Sequence, residues 1–155
     1  MNDADYMRLA IAQAQAAAAR GEVPVGALLV RNGEVVSSSG NSPLALHDPT
    51  AHAEILALRA AGAALENYRL DDTVLYVTLE PCLMCASAMV HARVRRVVFG
   101  AFDPKAGAAG GLIDAFALKG LNHRVDVFGG VLEKECGQLL SDFFAAARGA
   151  EIRPA

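Results

Sequence analysis

Two helix starts in this chain carry polar groups that a helix of ordinary core-facing type does not need, and 26 residues lie between them. The first is Thr50-Ala51-His52-Ala53-Glu54, which opens the apolar stretch Ile55, Leu56, Leu58. The second is Pro81-Cys82-Leu83-Met84-Cys85. The interval has room for one helix and one strand, and its pattern supplies both. Apolar residues recur at helical spacing to about Ala64, and Thr73 to Thr78 is rich in Val, Leu, Tyr and Thr. A helix, a strand and another helix in that order argue for helices layered on a sheet.

The rest of the chain extends this α/β pattern. Ala4 to Arg20 repeats apolar residues at helical spacing, and Gly21 is a plausible stop. Gly26 to Val30 and Glu34 to Ser37 flank Asn32-Gly33, a strong hairpin signal, so the first two strands are expected to be antiparallel neighbours. Asn41 to Pro49 reads as loop, with Thr50 as the cap of the following helix. Pro81 suits the first position of a helix over Cys82 to Arg93, and Arg96 to Ala101 reads as a strand. Phe102 to Asn122 is Gly- and Ala-rich and irregular, with a short helix expected near Ile113 to Leu118. Arg124 to Phe128 reads as a last strand and Leu132 to Arg148 as a closing helix. The later strands should be parallel, joined by right-handed crossovers.

Composition bounds the function classes. With 155 residues, 54% hydrophobic and 20% charged, the expectation is one domain spanning residues 1–155 with a substantial core. Its apolar runs fall short of the roughly 20 residues of a membrane helix, and no signal-peptide pattern opens the chain, so a cytoplasmic location is expected. A net charge of -3 argues against a broad nucleic-acid-coating surface but allows a local basic patch. Three cysteines, two of them three residues apart, suit metal ligation or thiol chemistry better than a disulfide framework.

Cys82 and Cys85 fall on neighbouring positions of one helix face, and a helix N-terminus favours their thiolates. With His52 they make three ligands, the number that suits a catalytic zinc with an open fourth position rather than a closed structural site. Glu54 beside a zinc-bound water could accept and return protons. One difficulty stands: residues two apart on an ideal helix point to nearly opposite sides, so His52 and Glu54 meet one metal only through a first-turn or capping geometry. A lone His-x-Glu or Cys-x-x-Cys is weak, the latter being equally a redox pair or half of a structural zinc site; the combination is the specific signal. Cys136, among Val131, Leu132, Leu139 and Leu140, reads as a buried core thiol. His91 is assigned to surface or packing, and His47 and His123 to loop hydrogen bonds or substrate contacts. The run Arg93-Val94-Arg95-Arg96 reads as a solvated helix end that could also meet phosphate.

His52-Ala53-Glu54 with Pro81-Cys82-Leu83-Met84-Cys85 matches the zinc nucleobase deaminase signature. Asn41, His47 to Glu54, Asn67 to Leu70, Leu75 to Cys82, Val97 to Gly100, Gly107 to Gly110, Asn122 to Val125 and Leu140 to Phe144 extend the likeness over nearly the whole chain, which resembles the bacterial tRNA-specific adenosine deaminases. The resemblance implies a three-layer α/β/α cytidine deaminase-like fold with a mixed five-stranded sheet and helices on both faces. It implies a homodimer with one Zn²⁺ per subunit, held by His52, Cys82 and Cys85. The activity it implies is hydrolytic deamination of the wobble adenosine to inosine in the anticodon stem-loop of tRNA, arginine tRNA above all, with Glu54 carrying protons. It also implies substrate contacts at Val25, Asn41, the backbone of Ala53, Asp103 and Phe144. Lys105, Lys119, Arg124 and Arg148 are candidate phosphate contacts, each of which taken alone reads rather as a solvated surface cation. Two departures accompany it: an aromatic, Phe102, beside Asp103, and an ending Glu151-Ile152-Arg153-Pro154-Ala155 where similar proteins often carry a lysine-rich tail, which implies few phosphate contacts and a shallow salt dependence. Two rival classes stay open: a free-base or nucleotide deaminase acting on guanine or cytosine, and a non-catalytic zinc-stabilised binding module. The latter requires a fourth protein ligand.

Overall fold

Five strands form one mixed sheet in the computed structural model, which describes residues 1–152 and side chains up to residue 149. They are β1 (Gly26–Arg31), β2 (Glu34–Gly40), β3 (Thr73–Leu79), β4 (Arg96–Ala101) and β5 (Asp126–Gly129), in the spatial order β2-β1-β3-β4-β5. The β1–β2 and β1–β3 pairs are antiparallel, while β3–β4 and β4–β5 are parallel. The Asn32-Gly33 turn closes the first hairpin with both residues at positive φ, 52° and 78°, the combination a two-residue turn of the favoured hand requires.

Strand alternation splits the side chains between two cores. Ala27, Leu29, Leu75, Val77, Val97 and Phe99 point to one face, where they meet α3 (Ala53–Leu65) and α4 (Leu83–Ala92) through Ala57, Ala61, Cys85, Ala86 and Met89. Leu28, Val30, Tyr76 and Val98 point to the other, against α1 (Asp3–Ala19) and α5 (Glu133–Ile152) through Tyr6, Met7, Ala10 and Cys136. Sequestering a side chain such as Leu29 or Phe99, each at most 1% exposed, contributes about 1.5–3 kcal/mol. The structure therefore has the expected three layers, with Cys136 in the core as expected. No helix among the described residues is long and apolar enough to cross a membrane.

Several boundaries differ from the sequence expectation, each for a local reason. The helix expected from Thr50 begins at Ala53, because the Thr50 amide and hydroxyl both donate to Asp48 Oδ1 (2.8 Å each) and hold that residue in a turn. Pro81 is not the first helical residue: its carbonyl accepts from Ala108 N (2.8 Å), and the helix starts two residues later. The 41–49 loop contains a single helical turn, α2 (Pro43–Leu46), whose Leu44 and Ala45 amides donate to the buried carboxylate of Glu22 at 3.0 and 2.9 Å. The helix expected over Ile113 to Leu118 is a 3-10 turn, Ala115–Ala117. β2 runs on to Gly40, and the last strand starts at Asp126 rather than Arg124. Residues 153–155, part of the tail behind the expected salt dependence, lie outside the described residues.

Candidate metal centre and reaction site

The spacing difficulty of His52 and Glu54 is resolved by where α3 begins. His52 is the N-cap residue, with extended backbone (φ −69°, ψ 152°), and Glu54 is the second helical residue. The half-in position turns the imidazole off the helical wheel, so residues two apart serve one locus. The Ala53 amide, an orphan donor of that first turn, is accepted by the side-chain oxygen of Asn41 at 2.8 Å. Asn41 is itself fixed by its amide to Val25 O (3.0 Å), which brings Val25, Asn41 and Ala53 together.

The same device operates at α4. Cys82 is the N-cap, extended at φ −75° and ψ 173°, and Cys85 is the third helical residue, fully buried. His52 Nδ1 stands 3.6 Å from both Cys82 Sγ and Cys85 Sγ. All three ligand atoms lie within 4.8 Å of one another. Tetrahedral zinc with Zn–N near 2.05 Å and Zn–S near 2.3 Å would set nitrogen and sulfur about 3.6 Å apart, so the donor set fits that ion. Among the described residues no fourth protein ligand joins these three, which leaves the open position of a catalytic rather than structural site.

Charge is unequally divided between the thiols. The Cys85 thiol donates to Cys82 and, with the His52 imidazole, pushes the Cys82 thiol down to about 4 against the cost of burial. Cys85, donating to Cys82, buried, and facing Glu54, is pushed up and keeps its proton. The expectation that both thiols are drawn to thiolate thus holds for Cys82 alone until a cation displaces the Cys85 proton. Hydrogen bonding to Cys82 raises the His52 imidazole, and burial opposes it. Glu54 is only 4% exposed, and burial lifts its carboxyl to about 7, the range in which a group can both take and return a proton near neutrality.

A second loop lies directly on this site. Cys82 bridges antiparallel to Gly107, and Ala108 is buried in the same core cluster as Ala53 and Cys85. The loop is gathered by Glu80, 2% exposed, whose carboxylate accepts from the amides of Asp103 (2.9 Å), Ala109 (3.0 Å) and Gly111 (2.9 Å). Gly107 and Gly111 are required by this closeness: a Cβ at Gly107 would stand 2.2 Å from Glu80 Oε2, and one at Gly111 2.1 Å from the Asp103 carbonyl.

The structure thus brings together His52, Glu54, Cys82 and Cys85, with Asn41, Ala53 and Val25 beside them. Asp103 lies in the loop on Cys82, its side chain accepting from Lys105 and Ala106 amides at 3.0 and 3.2 Å. Phe144 is 43% exposed on α5, edge-to-face with Phe143 at 5.5 Å, and no contact links it to the metal group. His47 is exposed after α2, His91 is exposed in the last turn of α4, and His123 is a structural hydrogen-bonder through Nε2 to Val94 O at 2.6 Å. Of the basic cluster, Arg96 is engaged with Asp3 (3.0 and 3.3 Å) and Arg93 with the Asn122 carbonyl (2.8 Å). Sequence reasoning missed Glu22 and Glu80. A signal existed for Glu80, an acid set between the mostly apolar strand Thr73–Leu79 and Pro81-Cys82.

A three-layer fold with a mixed sheet, two ligand-bearing helix starts and a buried acid beside them defines a zinc-dependent deaminase. The chain belongs to the cytidine and deoxycytidylate deaminase family, whose zinc-binding region matches residues 1–101. Within that class it is similar to tRNA-specific adenosine deaminases. It is 49% identical over 143 residues to that of Bacillus subtilis (strain 168), covering 92% of this chain and 89% of the relative. It is 48% identical over 147 residues to that of Haemophilus influenzae (strain ATCC 51907 / DSM 11121 / KW20 / Rd), covering 94% and 85%. A solved structure from work on A-to-I editing by tRNA:A34 deaminases superposes with a TM-score of 0.86 at 46% identity, covering 88% of this chain and 99% of that one. A guanine deaminase from Nitrosomonas europaea superposes with a TM-score of 0.78 at 24% identity, over 90% of this chain and 82% of that one, and shares the fold.

Proposed function

We propose that this chain is a tRNA adenosine deaminase, converting the wobble adenosine of an anticodon loop to inosine and ammonia by hydrolysis. The observation that carries the reading is the convergence of His52, Cys82 and Cys85 beside the buried carboxyl of Glu54, in a chain similar over most of its length to tRNA-specific adenosine deaminases. One zinc ion per subunit, held by those three side chains, would supply an activated water at neutral pH. Glu54 takes a proton on the water side, delivers it to the ring nitrogen of adenine and then assists the departing ammonia. Val25 forms an apolar wall. Asn41 contacts the base and the backbone of Ala53 reads the ring edge, the two held side by side by the Ala53 amide donating to the Asn41 side-chain oxygen. Asp103 and Phe144 meet neighbouring nucleotides, and an unpaired anticodon base reaches the pocket at low unstacking cost.

The protein acts in the cytoplasm as a homodimer of single-domain subunits on this reading. An open groove between α3 and α4, lined by Ile55, Leu58, Leu70, Ala88 and Ala92, offers apolar surface for a second copy. The decisive assay measures inosine in an anticodon stem-loop with adenosine at the wobble position, for wild type and Glu54→Ala at equal zinc content, with free adenosine, cytosine and guanine in parallel. Stem-loop turnover that disappears in the zinc-replete variant is expected. Turnover of a free base alone would move the protein to nucleobase salvage, and full activity of the variant would remove Glu54 from the chemistry.

A further inference from the structure

We infer that Glu80 is a positioning residue for the reaction, one that takes no part in the chemistry but fixes the 103–111 loop as a wall of the substrate site. This rests on the RNA-substrate reading above and deepens it. Three observations meet. The carboxylate is 2% exposed and spends both oxygens on the loop, Oε1 on Asp103 N and Oε2 on Ala109 N and Gly111 N. Its backbone amide donates to Ala101 O at 2.8 Å, so the carboxylate stands on the ends of β3 and β4 rather than on a mobile segment. The next two residues in the chain are Pro81, whose carbonyl holds Ala108, and Cys82, whose backbone bridges Gly107.

One residue therefore ties the turn that presents a metal ligand to a loop whose outer side leaves Phe102, Lys105 and Leu112 exposed. An exposed aromatic and an exposed cation on a loop whose Gly107 bridges Cys82 are the groups that hold single-stranded RNA by stacking and charge. Their usefulness depends on the loop being fixed before substrate arrives, since an unfixed loop must be ordered at the expense of binding. A carboxylate suits the task because three N–H donors converge on it and none of them needs a donor in return. Glutamine at this place would set an N–H₂ against at least one of those amides.

The test compares Glu80→Gln, and the milder Glu80→Asp, with wild type by steady-state kinetics on the wobble-adenosine stem-loop, by zinc content, and by amide hydrogen exchange. In Glu80→Gln, KM for the stem-loop should rise about tenfold or more, as loss of one charge-assisted hydrogen bond in the loop would cause. At saturating substrate kcat should stay within about threefold, and zinc at one per chain, because binding is lost while the chemical groups stay. Peptides over residues 103–113 should exchange faster, while those over 83–92 keep their protection. Glu80→Asp should move KM and exchange the same way by smaller factors. A variant that exchanges faster in the loop with unchanged KM would overturn the inference, as would loss of zinc with loop protection intact. Wild-type protein inert on the stem-loop would instead refute the substrate assignment, and the exchange measurement would still decide whether Glu80 holds the loop.

Discussion

Replacing Glu54 by Gln should lower activity by orders of magnitude and at the same time stabilise the metal-free protein, by an amount that grows with pH. The side chain is 4% exposed, and burial lifts its carboxyl from 4.5 to about 7. Below pH 4.5 folded and unfolded chains both carry the proton, so the two proteins differ little. Between 4.5 and about 7 the folded state keeps a proton that the unfolded state has released, and wild-type stability falls as pH rises. The rise from 4.5 to about 7 corresponds to at most about 3 kcal/mol lost by pH 8. Glutamine has the same shape and no proton to lose, so its stability lacks this slope; His52, whose imidazole the Glu54 charge helps to raise, loses that support in the variant and offsets part of the difference. Urea melts in chelator at pH 5 and pH 8 give the difference: near zero to about 1 kcal/mol at the first, and up to about 3 kcal/mol in favour of Gln at the second. In the zinc-loaded enzyme the same change should lower kcat by about 10²–10⁴, the usual contribution of a positioned general acid–base. A variant less stable than wild type at pH 8, or equally active, would refute the argument that burial keeps this carboxyl poised for proton transfer.

Two further changes probe the parts that hold the site. Asn41→Ala removes the acceptor of the Ala53 amide at the start of α3, an orphan donor in a fully buried residue, and should cost about 1–2 kcal/mol in a chemical melt while weakening zinc retention against a chelator, because His52 is the adjoining cap. Gly107→Ala drives a Cβ to within 2.2 Å of Glu80 Oε2 and 2.5 Å of the Asp103 carbonyl, so the loop must move; a loss of about 1–3 kcal/mol is expected, with a raised KM for the stem-loop, and an unchanged melt would mean that the loop is not held where the structure has it.

Much of this architecture was legible because its signals are local. Asn32-Gly33 fixes the first hairpin through backbone geometry available to few residue pairs, and the alternation of Leu28, Leu29 and Val30 along β1 carries the two-sided burial that calls for helices on both faces. The grouping of His52, Cys82 and Cys85 at one locus was legible by residue type and spacing. What the sequence concealed depends on contacts between distant segments. Thr50 has the side chain of a helix cap, but Asp48 engages it two residues away, and Asn41 caps Ala53 across twelve residues instead. The roles of Glu22 and Glu80 emerge only when the folded chain encloses them and turns backbone amides of remote loops upon them.

The two concealed glutamates show how the site divides its labour. His52 and Cys82, at the two helix starts of the candidate metal centre, are each an N-cap with extended backbone, and such a residue lies half outside its helix, so the cap alone leaves the flanking loop undetermined. Ahead of His52, Glu22 holds Leu44 and Ala45 of the loop that begins with Asn41. Behind Cys82, Glu80 holds the loop that carries Asp103 and Ala109. Neither side chain is among the three candidate ligands, and both are 2% exposed, where a polar group is costly unless it is hydrogen-bonded. The protein thus accepts the cost of two buried acids outside its chemistry. Without them, the loops that flank the reacting groups would have to be ordered each time a substrate binds, and the preorganisation that separates a deaminase from a mere zinc-holding fold would be lost.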